Sequence, residues 1–179
     1  MVFEIWQLEF ISMGYHDHKK LDNKNIGCAV LVTSDSRTEG TDESGKLIKQ
    51  RLLDKGHQIV HYCILKNDAT MLKNKINELI KQDAVQVIIT SGGTGLSHKD
   101  VTIDTIKPML EKKLDGFGEL FRQLTYQELG TASIMSRATA GVINGKIIIC
   151  FPGSLGAATL AMDKIILSEI GHLVREATR

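Results

Sequence analysis

Thr90-Ser91-Gly92-Gly93-Thr94-Gly95 leaves an apolar run, residues 85–89, and leads on to Asp100 and Asp104. Three glycines within four residues let a backbone turn sharply at the end of a strand. Main-chain N–H groups exposed at such a turn, with a helix start behind them, form a concave site for an anion. A plain tight turn is the competing reading. Phe151-Pro152-Gly153-Ser154 leaves another apolar run in the same way. Asp68 and Asp100 each follow a strand end, so both carboxylates can face one crevice and hold a hard divalent cation between phosphates. Each also precedes a helical segment, where an aspartate ordinarily caps the helix. Lys99 offers its charge to a phosphate or to a neighbouring carboxylate, and His98 has no evident partner. Arg137 suits a two-pronged contact with phosphate or an ordinary surface ion pair.

Two familiar phosphate templates are excluded. The turn has no Gly-Lys-Ser/Thr ending, and Gly93-Thr94-Gly95 is followed by Leu96-Ser97-His98, with no third glycine of a dinucleotide fingerprint.

Positioning these residues requires strands that end on one edge. Residues 26–33 form a continuous apolar run, as in a strand covered on both faces. After the polar loop from Ser34 and Asp35 to Thr41, Asp42 is placed to cap a helix carrying Leu47, Ile48 and Leu52, and Gly56 to stop it. Residues 57–65 read as the second strand. Leu72, Ile76, Leu79 and Ile80 then mark a one-faced helix. This β-α-β-α-β alternation predicts a parallel, helix-covered sheet, whose ligands bind beyond the carboxyl ends of its strands. Residues 102–113 read as helical with a break at Pro108. Gly116-Phe117-Gly118 reads as a turn before a helix over 119–129, and Asn144-Gly145 as a hairpin between two strands. One long amphipathic helix is expected over 154–177.

The 179 residues, 42% hydrophobic, suffice for one domain burying roughly 70% of its unfolded surface. With 22 basic and 21 acidic residues, net charge +1, a general nucleic-acid or membrane-surface binder is not expected. No stretch approaches the ~20 apolar residues of a membrane span. Cys28, Cys63 and Cys150 are odd in number and lie in apolar runs, which fits small buried hydrophobes in a reducing cytoplasm. Residues 1–12 carry Glu4 and Glu9 and no basic residue, so they are not a secretory signal. The expectation is a flexible tail over 1–22, with a natural start at Met13 and with His16 and His18 solvated, before a single domain over 23–179.

Six blocks in order resemble the molybdopterin-binding family of molybdenum cofactor biosynthesis proteins, the MogA/MoaB type. They are Val32-Thr33-Ser34-Asp35-Ser36-Arg37, Ser91-Gly92-Gly93-Thr94-Gly95, Asp100-Val101-Thr102, Gly116-Phe117-Gly118-Glu119, Ser136-Arg137 and Pro152-Gly153-Ser154. The stretch 116–122 leans toward the MoaB-like bacterial branch. The resemblance implies a three-layer α/β/α fold assembled as a homotrimer or a dimer of trimers. It implies adenylylation of molybdopterin by ATP with release of pyrophosphate, a divalent metal, normally magnesium, and other proteins of the same pathway as partners. Asp68 and Asp100 match the family's two catalytic aspartates. Ser91, Gly92, Gly93, Thr94, Gly95, Ser136, Pro152, Gly153 and Ser154 would cradle the pterin and its phosphate, with Ser34, Asp35 and Arg137 beside them. Two positions depart from the family pattern: Lys99 stands where an arginine is frequent, and Ala69 where an acidic residue often follows the aspartate. A non-catalytic molybdopterin carrier is the alternative. An amidohydrolase of nicotinamide-nucleotide processing lacks an evident nucleophile here.

Overall fold

The computed structural model describes residues 25–179. The expectations for residues 1–22, including Met13, His16 and His18, lie outside the described residues. Strand β1 (Gly27–Thr33) is buried at every position, as a strand apolar on both faces must be. Side chains alternate across it, so Cys28 and Val30 enter one core and Ala29 and Leu31 the other. Helix α1 (Glu43–Asp54) starts at Asp42, whose carboxylate accepts the Gly45 N–H. After β2 (Gln58–Leu65), Asp68 caps α2 (Ala69–Leu79), which buries Leu72, Ile76 and Leu79 on one face. Strand β3 (Val87–Ser91) is wholly buried and runs into the Gly-rich turn.

The second half departs from expectation in three places. Helix α3 (Thr102–Ile106) lasts five residues, and a 3-10 turn, Lys107–Met109, follows it. Pro108 has no N–H to continue an α-helical ladder. The chain then extends as β4 (Lys112–Lys113), antiparallel to Val142 and Gly141, where a helix was expected. Helix α4 (Asp115–Leu129) includes Gly116 and Gly118, which had read as a turn. Gly118 is there for proximity: a β-carbon on it would lie 2.7 Å from the Ala138 carbonyl oxygen. A 3-10 segment, Gly130–Met135, leads to Ser136 and Arg137. Strands β5 (Thr139–Ile143) and β6 (Lys146–Phe151) form the expected hairpin. Asn144 and Gly145 both have positive φ (50° and 70°), as a type I′ turn requires. The last helix is divided into α5 (Leu155–Ala161), a π turn at Met162–Ile166, and α6 (Leu167–Ala177). The wider turn buries Met162, Ile165 and Ile166 together.

The six strands of the described residues lie in the order β2-β1-β3-β6-β5-β4. The β1–β2, β1–β3 and β3–β6 pairs are parallel, and β5 runs antiparallel to β6 and β4. Helices α1, α4, α5 and α6 cover one face, and α2 and α3 the other, giving the expected three layers. Register places Thr33 opposite Leu65, and Ser91 opposite both Val32 and Phe151. The loops after four parallel strands therefore meet on one edge. Burial pushes the thiols of Cys28 and Cys150 up to about 12, as inert core cysteines should be. Among the described residues no helix is long and apolar enough to cross a membrane.

Candidate functional site

The loop after β1 is built around Ser34. Its N–H donates to the Leu65 carbonyl at 2.8 Å, and its hydroxyl accepts the N–H groups of Ser36 and Arg37. That turn directs Arg37 across the edge. Its guanidinium donates to Ser44 Oγ at 2.6 Å and to the Gly153 carbonyl at 2.8 Å, and lies 3.5 Å from Asp42 Oδ1. Asp42 is fully buried and would be costly without donors. It accepts the Gly45 N–H, the Ser44 hydroxyl at 3.1 Å and the Tyr62 hydroxyl at 2.7 Å. Burial first, then Asp42, holds the Tyr62 phenol protonated well above its ordinary range. Arg37 thus ties the first loop to the loop after β6, a link that its place in a motif did not reveal.

The Gly-rich turn needs glycine at two positions. Gly92 and Gly93 have φ of 99° and 60°, and a β-carbon on Gly92 would fall 2.4 Å from the Thr33 carbonyl oxygen. Gly92 donates to Phe151 O, while the Thr102 amide and hydroxyl donate to Gly93 O and Gly92 O, both at 2.8 Å. With those bonds made, the N–H groups of Gly93, Thr94 and Gly95 have no hydrogen-bond partner among the described residues. Three successive unpaired amides form an anion-binding concavity. Gly153 lies flat against Gly92, and Ser154 caps α5 through the Ala157 N–H at 3.2 Å. Pro152, Gly153 and Ser154 therefore sit beside the turn, with the Ser154 hydroxyl engaged in capping.

The carboxylates divide. Asp100 accepts the Ser97 N–H through Oδ2 at 3.0 Å and rests against Gly95. It closes a loop, since the cap position of α3 is Val101, which has no side-chain cap bond. Asp68 accepts the Met71 N–H through Oδ1 at 2.7 Å, the capping role that was the competing reading for it. Its neighbour Ala69 and Asp100 border the same hollow of about 440 Å³, with Ser97, His98 and Asp104, so the two corners adjoin. Arg137 does not present a free fork. It donates to Asp104 at 2.6 and 3.1 Å and to Gly95 O at 2.9 Å, clamping the far side of the turn. That hydrogen-bonded guanidinium holds the Asp104 carboxyl below the usual range. Ser136 makes a main-chain bond to Ser133 at the end of its 3-10 segment.

Asp35 turns toward the β2–α2 corner: its carboxylate accepts the Asn67 N–H at 3.0 Å and its carbonyl accepts Lys66 Nζ at 2.6 Å. The Asn67 main-chain amide, then its side-chain amide, holds the Asp35 carboxyl below the ordinary range, with help from Lys99 and Lys66. Here lies a residue that sequence reasoning missed. Asn67 Oδ1, Thr33 Oγ1 and Ser91 Oγ are all buried without a hydrogen-bond partner. Asn67 Oδ1 and Thr102 Oγ1 each come within 2.6 Å of where a β-carbon on Gly93 would stand, and the Thr33 methyl Cγ2 is 3.1 Å from that point. Unpaired buried oxygens are rare enough to need a reason. Among the described residues no three His, Cys, Asp or Glu side chains are placed together to hold a metal.

Fold and site together define the class: a three-layer α/β protein whose Gly-rich strand-end turn presents unpaired amides beside a carboxylate. Residues 29–172 match the family described as "Probable molybdopterin binding domain", and the chain belongs to that family. It is 42% identical over 170 residues to molybdenum cofactor biosynthesis protein B of Staphylococcus aureus (strain COL), covering 93% of this chain and 100% of that protein. A crystal structure of a molybdenum cofactor biosynthesis protein B superposes with TM-score 0.83 at 41% identity, covering 86% of this chain and 96% of that one. The tungsten cofactor synthesizing protein MoaB of Pyrococcus furiosus gives TM-score 0.78 at 37% identity, over 88% and 99% of the two chains.

Proposed function

We propose that this chain works in molybdenum cofactor biosynthesis and adenylylates molybdopterin: the pterin's terminal phosphate attacks the α-phosphorus of ATP, and pyrophosphate leaves. Its pathway is supported by the family match and by relatives named for it. One observation supports the reaction: the N–H groups of residues 93–95 are unpaired in a turn against which the Asp100 carboxylate rests at Gly95, on the sheet edge where ligands of such folds bind.

The donors fit a hard divalent cation. They are oxygens throughout, Asp100 keeps one carboxylate oxygen free of hydrogen bonds, and Asn67 Oδ1 waits unpaired beside the turn. Asp100, and Asp68 with its remaining oxygen, would hold a magnesium ion, which when bound supplies screening of the two phosphates. The chain's own part is alignment. Amides 93–95 receive a phosphate, while Arg37 and Arg137 hold the two glycine loops that flank it.

A carrier without nucleotide chemistry is favoured by one fact: Asp68 spends an oxygen on a helix cap. Purified protein mixed with molybdopterin, magnesium and α-labelled ATP separates the two. An adenylylated pterin is expected, and Asp100→Asn should cut its formation by roughly 10²–10³. Pterin retained without that product would select the carrier, and no pterin binding would sink both.

A further inference from the structure

Two hollows on the face covered by α6 run together into one apolar groove. The first, about 410 Å³, is lined by Leu114, Phe117, Leu120, Ile149, Ile165 and Leu173. The π turn sets Ile165 and Ile166 side by side along it. The second, about 400 Å³, shares Leu114 and Leu173 and continues past Val142 and Ile147 to Ala177. Leu114 and Leu120 are 38% and 41% exposed, so the described residues leave the groove open. Lys112 and Lys113 stand exposed on its rim. The acids of the rim are engaged: Glu111 accepts the Asn144 N–H, Glu169 lies 3.9 Å from His172, and Glu176 holds Arg175 and Arg179. An open apolar groove beside two lysines suits a cover that is apolar and acidic.

The chain itself carries such a cover. Phe3, Ile5, Trp6, Leu8, Phe10 and Ile11 fall within nine residues, and the charged side chains among them are Glu4 and Glu9. The described chain enters at the same edge of the sheet. The Gly27 carbonyl accepts the Gln86 N–H at 2.8 Å, and the Gln86 carbonyl accepts the Ile147 N–H at 3.0 Å. Gly27 therefore stands two strand spacings, about 10 Å, from the groove at Ile147. Ile26 is buried with Val174 in the core that α6 covers, so the entry lies on the groove's side of the sheet. Residues 13–24 can span up to about 40 Å, enough to carry the apolar stretch onto the groove. We propose that residues 1–12 dock in this groove of their own chain, with Glu4 and Glu9 toward Lys112 and Lys113. Burial of apolar area drives the docking, and the surface charges add little beyond its direction. The proposal sets aside the expectation of a flexible tail over these residues.

Trp6 is the chain's single tryptophan, so its fluorescence reads the docking in the full-length protein without a label. Its emission should be blue-shifted, and acrylamide should quench it less than in the urea-unfolded chain. Leu120→Glu, at an exposed position, should shift the emission to the red and raise the quenching while far-ultraviolet circular dichroism stays unchanged. Removing residues 1–12 should raise amide hydrogen exchange in residues 114–120 and 165–173 and lower the melting temperature. Carbodiimide coupling of a mixture of isotopically light and heavy protein should join Glu4 or Glu9 to Lys112 or Lys113 within one chain. Trp6 quenched in the folded parent as freely as in urea, protection unmoved by Leu120→Glu, or exchange unchanged by the deletion each overturns the proposal. So does a cross-link found only between light and heavy chains, which would make the arm of a second copy the occupant.

Discussion

Replacing Arg37 by alanine removes a bridge between two loops of the site and one partner of a carboxylate with no solvent access. Two charge-assisted hydrogen bonds go, at 2.6 and 2.8 Å, with the 3.5 Å approach to Asp42. Breaking a buried ion pair typically costs 3–5 kcal/mol, roughly. The Arg37 side chain is 30% exposed, however, and Asp42 keeps Tyr62, Ser44 and the Gly45 N–H as donors. The expected loss is therefore about 2–3 kcal/mol, near the value for one or two hydrogen bonds to a charged group. In a domain of this size that lowers the melting temperature by about 5–10 °C. Differential scanning calorimetry reads the shift. Arg37→Lys keeps the charge without the fork and should recover about half of it. A double-mutant cycle with Ser44→Ala should show coupling of at least about 0.5 kcal/mol. Amide hydrogen exchange should rise in residues 151–154, because the Gly153 carbonyl loses its anchor. An Arg37→Ala protein melting within about 1 °C of the parent, with that loop still protected, would refute the bridge.

Gly93→Ala should cost about 3 kcal/mol, from a left-handed backbone and from Asn67 Oδ1 and Thr102 Oγ1 standing 2.6 Å from the new carbon. Circular-dichroism melts that show less than a 2 °C drop, roughly, would reject that steric account. His57 is buried, its Nδ1 accepts the Ile26 N–H at 3.4 Å, and burial lowers its pKa. The unfolded chain then binds more protons than the folded one below about pH 6.5, so stability is full above that value and falls as pH drops through the window beneath it. Urea midpoints measured from pH 7.5 to 5 should decline with acid, and His57→Gln should flatten the decline.

Where one signal decides an element alone, the sequence was legible. The uninterrupted apolar run of β1, the Asp42 cap, the one-faced α2 and the Asn144-Gly145 hairpin all stand as expected. Elements set by a distant neighbour were not legible. Lys112 and Lys113 extend because Gly141 and Val142 offer an open strand to pair with, which no local preference of two lysines announces. Gly116 and Gly118 look like a turn, yet both lie within α4, where the absence of a side chain on Gly118 lets the Ala138 carbonyl come close. The π turn shows only as the adjacent pair Ile165 and Ile166 buried together, which a regular 3.6 period does not require. At the site, spacing located both strand-end corners, but which aspartate caps a helix depends on where that helix starts: the Met71 N–H takes one Asp68 oxygen, while α3 starts at Val101 and leaves Asp100 to close its loop.

The two rims of the sheet are guarded unequally. β4 ends it in two exposed lysines, so any further strand added there would have to bury a pair of ammonium groups. Among the described residues, β2 closes the opposite rim with Val60, Tyr62, Cys63 and Ile64 half-buried and pairs only with β1 within the sheet. Its outward main-chain groups are a template for any extended chain that arrives. Overexpressed or partly unfolded protein should therefore stick together from the β2 side first, and a lysine at Val60 is the change that would make this rim as inhospitable as the other.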